Sequence, residues 1–410
     1  MNEAGYRETG ASRRSPRLTS FFADLHIHIG RTESGLPVKI SAARNLTFDQ
    51  IVRESAQRKG LDMIGIIDAH SPPVQEEIAT RLEAGVYREH PDGGLVYGET
   101  VVILGTEIEV KEPGFGTAHL LAYFPSLDAI RRFTHWLTKR MKNVQLSTQR
   151  LYAPVRDLQE KVTQLDGLMI PAHVFTPFKS VYGSASDRMR DWLDLDRIAA
   201  VELGLSADSS LADRLSELSA LTFVTNSDAH SIPKIGREYN ELCIAGPSFL
   251  ELKWALLRQD GRRVVANYGL NPKLGKYYRT RCLSCEALLP PEETRRCLRC
   301  GSHKVVKGVS DRVEEIADQP STPPAHRPPY VYQVPLEFIP KLGPKTLGKL
   351  LDRFGSEMRI LHHADIEEIA SIAGTSIAEH IRLAREQRLQ FDEGGGGMYG
   401  KVKQIQNQPS

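Results

Sequence analysis

Residues 21–28 read FFADLHIH. Five of the eight are apolar, there is no Gly or Pro, and the stretch ends on two histidines spaced by one residue. That is the signature of a strand buried on both faces. With the strand period of two, His26 and His28 point to the same side, so both imidazoles can reach one ion.

The pattern recurs downstream. LDMIGIIDAH (61–70) ends on Asp68 and His70. VVILGTEIEV (101–110) carries Glu107, TAHLLAYF (117–124) His119, and GLMIPAHV (167–174) His173. AAVELGL (199–205) contains Glu202, and LTFVTNSDAH (221–230) ends on Asp228 and His230. Helix-period segments at 48–59, 128–146, 155–164, 209–221 and 248–259 lie between many of them. Strand–helix alternation over about 250 residues predicts an α/β fold with a parallel sheet, of a length that suits a closed barrel. In such a barrel the C-terminal strand ends share one face, where nine imidazole or carboxylate groups would converge: His26, His28, Asp68, His70, Glu107, His119, His173, Asp228 and His230. That donor set fits zinc, manganese, iron or magnesium. Glu202 is either a ligand, a group orienting one, or a satisfied acid.

The rest of the 410 residues differs in kind. Cys282-x2-Cys285 and Cys297-x2-Cys300 form two paired knuckles, and four of the five cysteines fall in this window. Thiolates so spaced close a tetrahedral structural zinc site. Arg279, Arg281, Arg295, Arg296 and Arg299 surround them, and Tyr277 and Tyr278 precede them. This composition suits phosphate contact and base stacking. Five prolines between 320 and 329 mark a linker. IPKLGPKTLGKLLDRFG (339–355) contains a tight turn, Pro344 at a helix start and Gly355 at its end. Lys345, Lys349 and Arg353 follow at steps of four, making one basic stripe. Lys341 and Gly343 belong to the turn.

Domain boundaries follow: a flexible arm at 1–20, the metal-dependent barrel at 21–275, the four-cysteine module at 276–310, a Pro-rich linker at 311–329, a helical module at 330–391 and a disordered tail at 392–410. The composition is that of a globular protein, with 40% hydrophobic and 25% charged residues. Lys and Arg exceed Asp and Glu by 53 − 51 = 2, so nucleic-acid contact must come from local patches. No apolar run is long enough to span a membrane and no membrane partner is expected. The N-terminus has no secretory signal, and the clustered cysteines read as metal binding in a reducing compartment, so the expected location is cytoplasmic. No Walker loop is present, which favours hydrolysis without nucleotide.

DLHIH, DAH, the Glu of GTEIE, PAHVF and NSDAHS, in this order, resemble the motifs of the polymerase-and-histidinol-phosphatase (PHP) superfamily. The resemblance implies a distorted seven-stranded, TIM-like barrel with a di- or trinuclear site for phosphoester hydrolysis. It implies that His26, His28, Glu107 and Asp228 hold one ion and that Glu107 bridges to a second held by His119 and His173. His70 and His230 would hold a third. Asp228 and Glu107 are then the catalytic acids, with Asp228 positioning the nucleophilic water. The family often has another His in the loop after H-x-H. Here that loop is IGRTESGLPVKIS, which leaves Glu33 or a water for the position. Segment 339–355 resembles one helix-hairpin-helix of DNA repair proteins, whose backbone N–H groups after the glycine bind phosphate.

The order barrel, four-cysteine ribbon, helical hairpin resembles the endonuclease Q family. This implies nicking of double- or single-stranded DNA 5′ to uracil, hypoxanthine, xanthine or an abasic site, leaving a 3′-hydroxyl and a 5′-phosphate. The implied cofactors are one structural zinc and two or three divalent ions in the barrel, and the implied setting is the nucleoid. The lesion pocket is expected near the ribbon–barrel seam. The alternatives are a PHP-type 3′–5′ exonuclease and a small-molecule phosphoesterase. Residues 386–391, EQRLQF, are weakly similar to a sliding-clamp peptide.

Overall fold

The computed structural model describes residues 16–290, 296–392 and 398–403. All seven expected strands form: Thr19–Ile27, Met63–Ile66, Thr100–Lys111, Thr117–Phe124, Leu168–Pro171, Val201–Glu202 and Phe223–Val224. The first five belong to one ten-stranded sheet, which also takes in Tyr239–Ile244, Arg263–Gly269, Tyr330–Tyr332, Leu95–Tyr97 and Arg88–Glu89. Ala199 N–H donates to Met169 O and Val174 N–H to Glu202 O, both at 2.9 Å, carrying the pairing on to Val201–Glu202. Past Phe223–Val224, Ala229 bridges back to Ile27.

The expectation of an all-parallel sheet needs correction. Thr117–Phe124 pairs antiparallel with both of its neighbours. The cause is in the chain: only residues 112–116 separate it from Thr100–Lys111, too few for a parallel crossover. The reversal brings the start of this strand, with His119, to the end of the sheet where the other strands finish. Tyr239–Ile244 is likewise antiparallel to Thr19–Ile27.

Alternation along Thr100–Lys111 separates two apolar clusters. Val101 and Ile103 pack with Leu25, Leu121, Tyr123 and Ile170, whereas Val102 and Leu104 pack on the opposite side with Val74, Phe124 and Phe133. Glu107 has the parity of Ile103 and so belongs to the inner face. Gly105 lies between them, where an added Cβ would come within 2.8 Å of the Tyr123 ring.

The expected linker is shorter and less free than its prolines suggest. Val309–Ile316 is a helix. Arg312 donates to Tyr182 O at 2.7 Å, and farther on Arg327 reaches Asp213 at 2.9 Å with both side chains 2% exposed. The chain then adds Tyr330–Tyr332 as an edge strand beside Arg263–Gly269. Four helices follow, Pro344–Phe354, Glu357–His362, Ile366–Ala373 and Thr375–Arg385. They seat on the barrel through Lys59–Glu357 (2.9 Å) and Tyr239 Oη–His362 Nε2 (2.7 Å). Gly60, at φ 77°, lies under Ser356 so closely that a Cβ would meet its hydroxyl at 2.4 Å.

The expected arm mostly falls on residues 1–15, outside the described residues, and the first strand begins at Thr19, inside the arm's predicted bounds. Of the expected disordered tail, Asp392 and residues 398–403 are described, and they are ordered. Phe391–Asp392 pairs with Lys401–Val402, and Arg237 donates to the Tyr399 hydroxyl at 2.8 Å. Tyr399 and Val402 are the apolar anchors of this return. Residues 393–397 and 404–410 lie outside the described part. No helix among the described residues is long and apolar enough to cross a membrane.

Candidate metal centre and nucleic-acid surfaces

Strands and the loops that follow them deliver seven of the nine expected residues to one point. His26, His28 and Glu107 form one ligand group; Glu107, His119 and His173 a second; His28, Asp228 and His230 a third, the ligand atoms in each lying within 4.8 Å of one another. Glu107 is the hinge between the first two. Its Oε1 lies 2.9 Å from His119 Nδ1 and 3.3 Å from His173 Nε2, and its Oε2 lies 3.5 Å from His28 Nε2. Asp228 Oδ1 is 3.4 Å from His26 Nε2 and 3.5 Å from His28 Nε2. His173 and Asp228 have positive φ, 32° and 46°, an uncommon backbone state for residues with a Cβ.

These groups fit metal ions. The Nε2 atoms of His26 and His28 are buried with no hydrogen-bond partner, and His119 Nδ1 has only the Glu107 carboxylate beside it. Unsatisfied buried polar atoms are expensive, and several aimed at a common point are explained by cations. Bound cations of this kind would polarise a water and offset charge on phosphoryl oxygens.

Asp68 and His70, expected as ligands, fall in none of these three groups, although Asp68 Oδ1 is buried without a hydrogen-bond partner. Asp68 Oδ2 accepts from Ile29 N–H at 2.8 Å and faces His28 Nδ1 at 3.0 Å. It therefore orients His28 and leaves Nε2 aimed at the centre. Burial opposes its charge, but His28 and Lys39 hold the carboxyl down at about 2. His70 has both ring nitrogens engaged, Nδ1 by Thr106 Oγ1 at 2.8 Å and Nε2 by Leu146 O at 3.4 Å. Glu202 also orients: its carboxylate faces His26 Nδ1 at 2.9 Å and accepts from His173 N–H and Asn226 Nδ2. Burial disfavours protonated His26, yet the Glu202 and Asp228 carboxylates push it up to about 10. Burial and His28 pull His230 down to about 4, leaving it neutral and able to ligate. Glu33 lies apart, its N–H donating to Glu77.

Two cavities meet at this centre. A cleft of about 590 Å³ is lined by Lys39, Glu107, Thr148, Phe178, Lys179 and His230. A second, of about 410 Å³, contains Glu202, Ser206, Asn226, Arg237, Tyr277 and Tyr399, with His173, Asp228 and His230 common to both. Sequence reasoning missed Lys39, Thr148, Arg237 and Tyr399, which stand on loops without periodicity.

The four cysteines form their own group. Cys282 and Cys300 Sγ are 3.6 Å apart, as are those of Cys285 and Cys297, spacings suited to a tetrahedral zinc. Arg299 is exposed, and Arg296 is exposed but donates to Gly301 O. Arg279 is paired with Asp311 at 3.4 Å, and Arg281 donates to Glu286 O at 3.5 Å. Arg295 lies outside the described residues. Lys341, Lys345 and Lys349 are exposed, whereas Arg353 is bound to Glu368 and its charge is offset. Lys341 carries the turn at φ 68°, and Gly343 caps the following helix.

No family model matches the chain. It is 46% identical over 388 residues to the uncharacterized protein YqxK of Bacillus subtilis, covering 94% of this chain and all of that one. Among solved structures, it matches the lesion-specific endonuclease PfuEndoQ of Pyrococcus furiosus at a TM-score of 0.82, with 32% identity over 94% of this chain and 95% of that one. The chain belongs to the endonuclease Q family. It is thereby a hydrolase among the metal-dependent endonucleases of the PHP superfamily. An endonuclease Q in complex with a 27-mer duplex, an abasic lesion at its active site, matches with the same TM-score and 31% identity over 95% and 97% of the two chains.

Proposed function

We propose that this endonuclease Q hydrolyses the DNA phosphodiester 5′ to deaminated bases (uracil, hypoxanthine, xanthine) and abasic sites. The observation that carries this reading is the meeting of two cavities at one ligand cluster. One cavity admits the backbone and the other an extruded nucleotide, so the phosphate beside a flipped base lies over the metal ligands. A water oxygen bonds to phosphorus, the bond to O3′ breaks, and O3′ takes a proton, leaving a 3′-hydroxyl and a 5′-phosphate.

The ligands proposed for two barrel ions are His26, His28, Glu107 and Asp228, and Glu107, His119 and His173. Asp228 would also align the attacking water. Glu202 and Asp68 hold His26 and His28 in the required tautomer and orientation. In the second cavity, Ser206, Asn226 and backbone around Gly204 offer hydrogen-bonding groups to a base edge, with Tyr277 at the ribbon–barrel seam. Arg237 and Lys276, both against the Tyr399 ring, supply positive charge there. Lys341, Lys345, Lys349 and Gly343 of a helix-hairpin-helix, together with the ribbon's Arg296 and Arg299, would grip phosphates without reading sequence.

The test uses end-labelled duplexes bearing one uracil, one hypoxanthine, one abasic site or none. The expected result is a single metal-dependent cut on the 5′ side of each lesion with a 3′-hydroxyl end. Equal cutting of the undamaged duplex, or stepwise shortening from its 3′ end, would discard this reading for an unspecific nuclease or an exonuclease.

A further inference from the structure

Lys39 is held in the metal centre by a closed loop. Lys39 N–H donates to Ile29 O at 2.9 Å and Val38 N–H to Gly30 O at 3.0 Å, so the chain returns beside His28 after a turn at Gly35. Val38 is buried at 1% exposure, and Lys39, of opposite parity, lines the large cleft. Its Nζ lies 3.2 Å from Glu107 Oε2 and 2.5 Å from Thr148 Oγ1. Thr148 contacts the same Glu107 oxygen at 2.5 Å. Thr148 has φ 53°, a strained state for a β-branched residue, and is fixed by the bond from Ser147 N–H to Val38 O. Two loops thus meet, one of them strained, to place an ammonium at the edge of the ligand cluster.

The ligands for a third ion are meanwhile depleted. His70 is consumed by Thr106 and Leu146. The remaining third group shares His28 and Asp228 with the first, leaving His230 alone as its own ligand. A divalent ion with one private ligand is poorly held. An ammonium has three donors, and Lys39 spends two on Glu107 and Thr148.

We propose that Lys39 stands in for a third ion: the barrel holds two divalent ions, and the Lys39 ammonium binds a non-bridging oxygen of the scissile phosphate. The inference rests on the phosphodiesterase reading above, but it concerns the phosphate and not the lesion. Charge that grows on that oxygen as the water adds is met by a donor already in position. Glu107 and Thr148 hold Lys39 against the pull of solvent.

The experiment compares wild type with Lys39→Met, Lys39→Arg and Lys39→Ala as full-length, metal-loaded chains. Elemental analysis should give three ions per wild-type chain, two in the barrel and one on the cysteines, and the same for Lys39→Met. Calorimetry with inorganic phosphate should show at least about tenfold weaker binding to Lys39→Met. Single-turnover cutting of an abasic duplex at saturating enzyme should fall about 100-fold, more than duplex affinity, which should fall no more than about tenfold. Ethylammonium should restore part of the loss in Lys39→Ala, and Lys39→Arg should retain more activity than Lys39→Met.

A third barrel ion in wild type would overturn the proposal. So would phosphate affinity unaltered in Lys39→Met, or loss of a barrel ion in that variant, which would make Lys39 a mere prop for Glu107. A wild type that binds two barrel ions and phosphate through Lys39 yet leaves every lesion duplex intact would sink the endonuclease reading and keep this one.

Discussion

The two metal-ligand clusters of this protein are built in opposite ways. The cysteine cluster draws on one short window, from Cys282 to Cys300, uses four identical donors, and lines neither of the two cavities that meet at the barrel centre. The barrel cluster draws its donors from His26 to His230, mixes imidazole with carboxylate, and opens onto two cavities. A set of donors that closes on itself gives an ion no free position and can only hold structure. A set that opens to solvent leaves room for water and phosphate. The difference also shows in the outer partners. The barrel histidines are steered by buried acids, Glu202 and Asp68, whereas Cys282 Sγ accepts from backbone N–H groups, that of Ser284 at 3.4 Å among them.

The contrast breaks first at Asp228. Asp228→Asn should lower single-turnover cutting at least about 10³-fold, ~4 kcal/mol, with folding and duplex affinity intact, because a neutral amide holds cations poorly. Retention of more than about a tenth of the wild-type rate would remove Asp228 from the essential ligands.

The closed cluster should respond differently. Cys282→Ser with Cys297→Ser should lose about one zinc per chain while the barrel ions remain. Duplex affinity should fall about 30-fold, ~2 kcal/mol, and cutting at saturating DNA should change little. Full metal content in this double mutant would contradict a zinc on the cysteines.

Buried and exposed charge contrast in the helical region too. His362 stacks on Phe22 at 4.5 Å between ring centroids, shares a hydrogen bond with the Tyr239 hydroxyl, and also neighbours Tyr268, His363 and Arg385. Burial, then His363 and Arg385, pull it down to about 4. Its folded value lies below the unfolded one of ~6.5, so this contribution is full above that pH and lost as pH falls from about 6.5 to 4. Denaturant titrations should show His362→Phe with a shallower loss than wild type across that window, by about 1–2 kcal/mol. Equal slopes would mean that His362 does not couple the helices to the barrel through its proton.

The smallest effect is expected on the surface. Lys345→Ala with Lys349→Ala should weaken damaged and intact duplex alike by a few-fold near 0.15 M salt. The log K against log salt slope should flatten by up to ~0.9 per contact. Adding Arg353→Ala should change the slope less, since Glu368 already neutralises it. An unaltered slope would make the stripe an ordinary solvated helix face. Loss of lesion preference would instead make this module a reader of the flipped base.

By itself the sequence determined the seven strands that position the site, the histidines and acids on or just after them, and where the thiolates cluster, because strand periodicity and knuckle spacing are local properties. Strand–helix alternation predicts a parallel sheet and misses the reversal of Thr117–Phe124, although the five residues that precede it are too few for a crossover. Only the tertiary structure decided which polar atoms remain free. Asp68 and His70 have the same spacing as His26 and His28, yet one orients a neighbour and the other is consumed by Thr106 and Leu146. Lys39, Thr148, Arg237 and Tyr399 reach the site from loops and from the far end of the chain. Whether a ring nitrogen can ligate depends on what faces it across space, and a partner 36 or 176 residues away leaves no mark on local pattern.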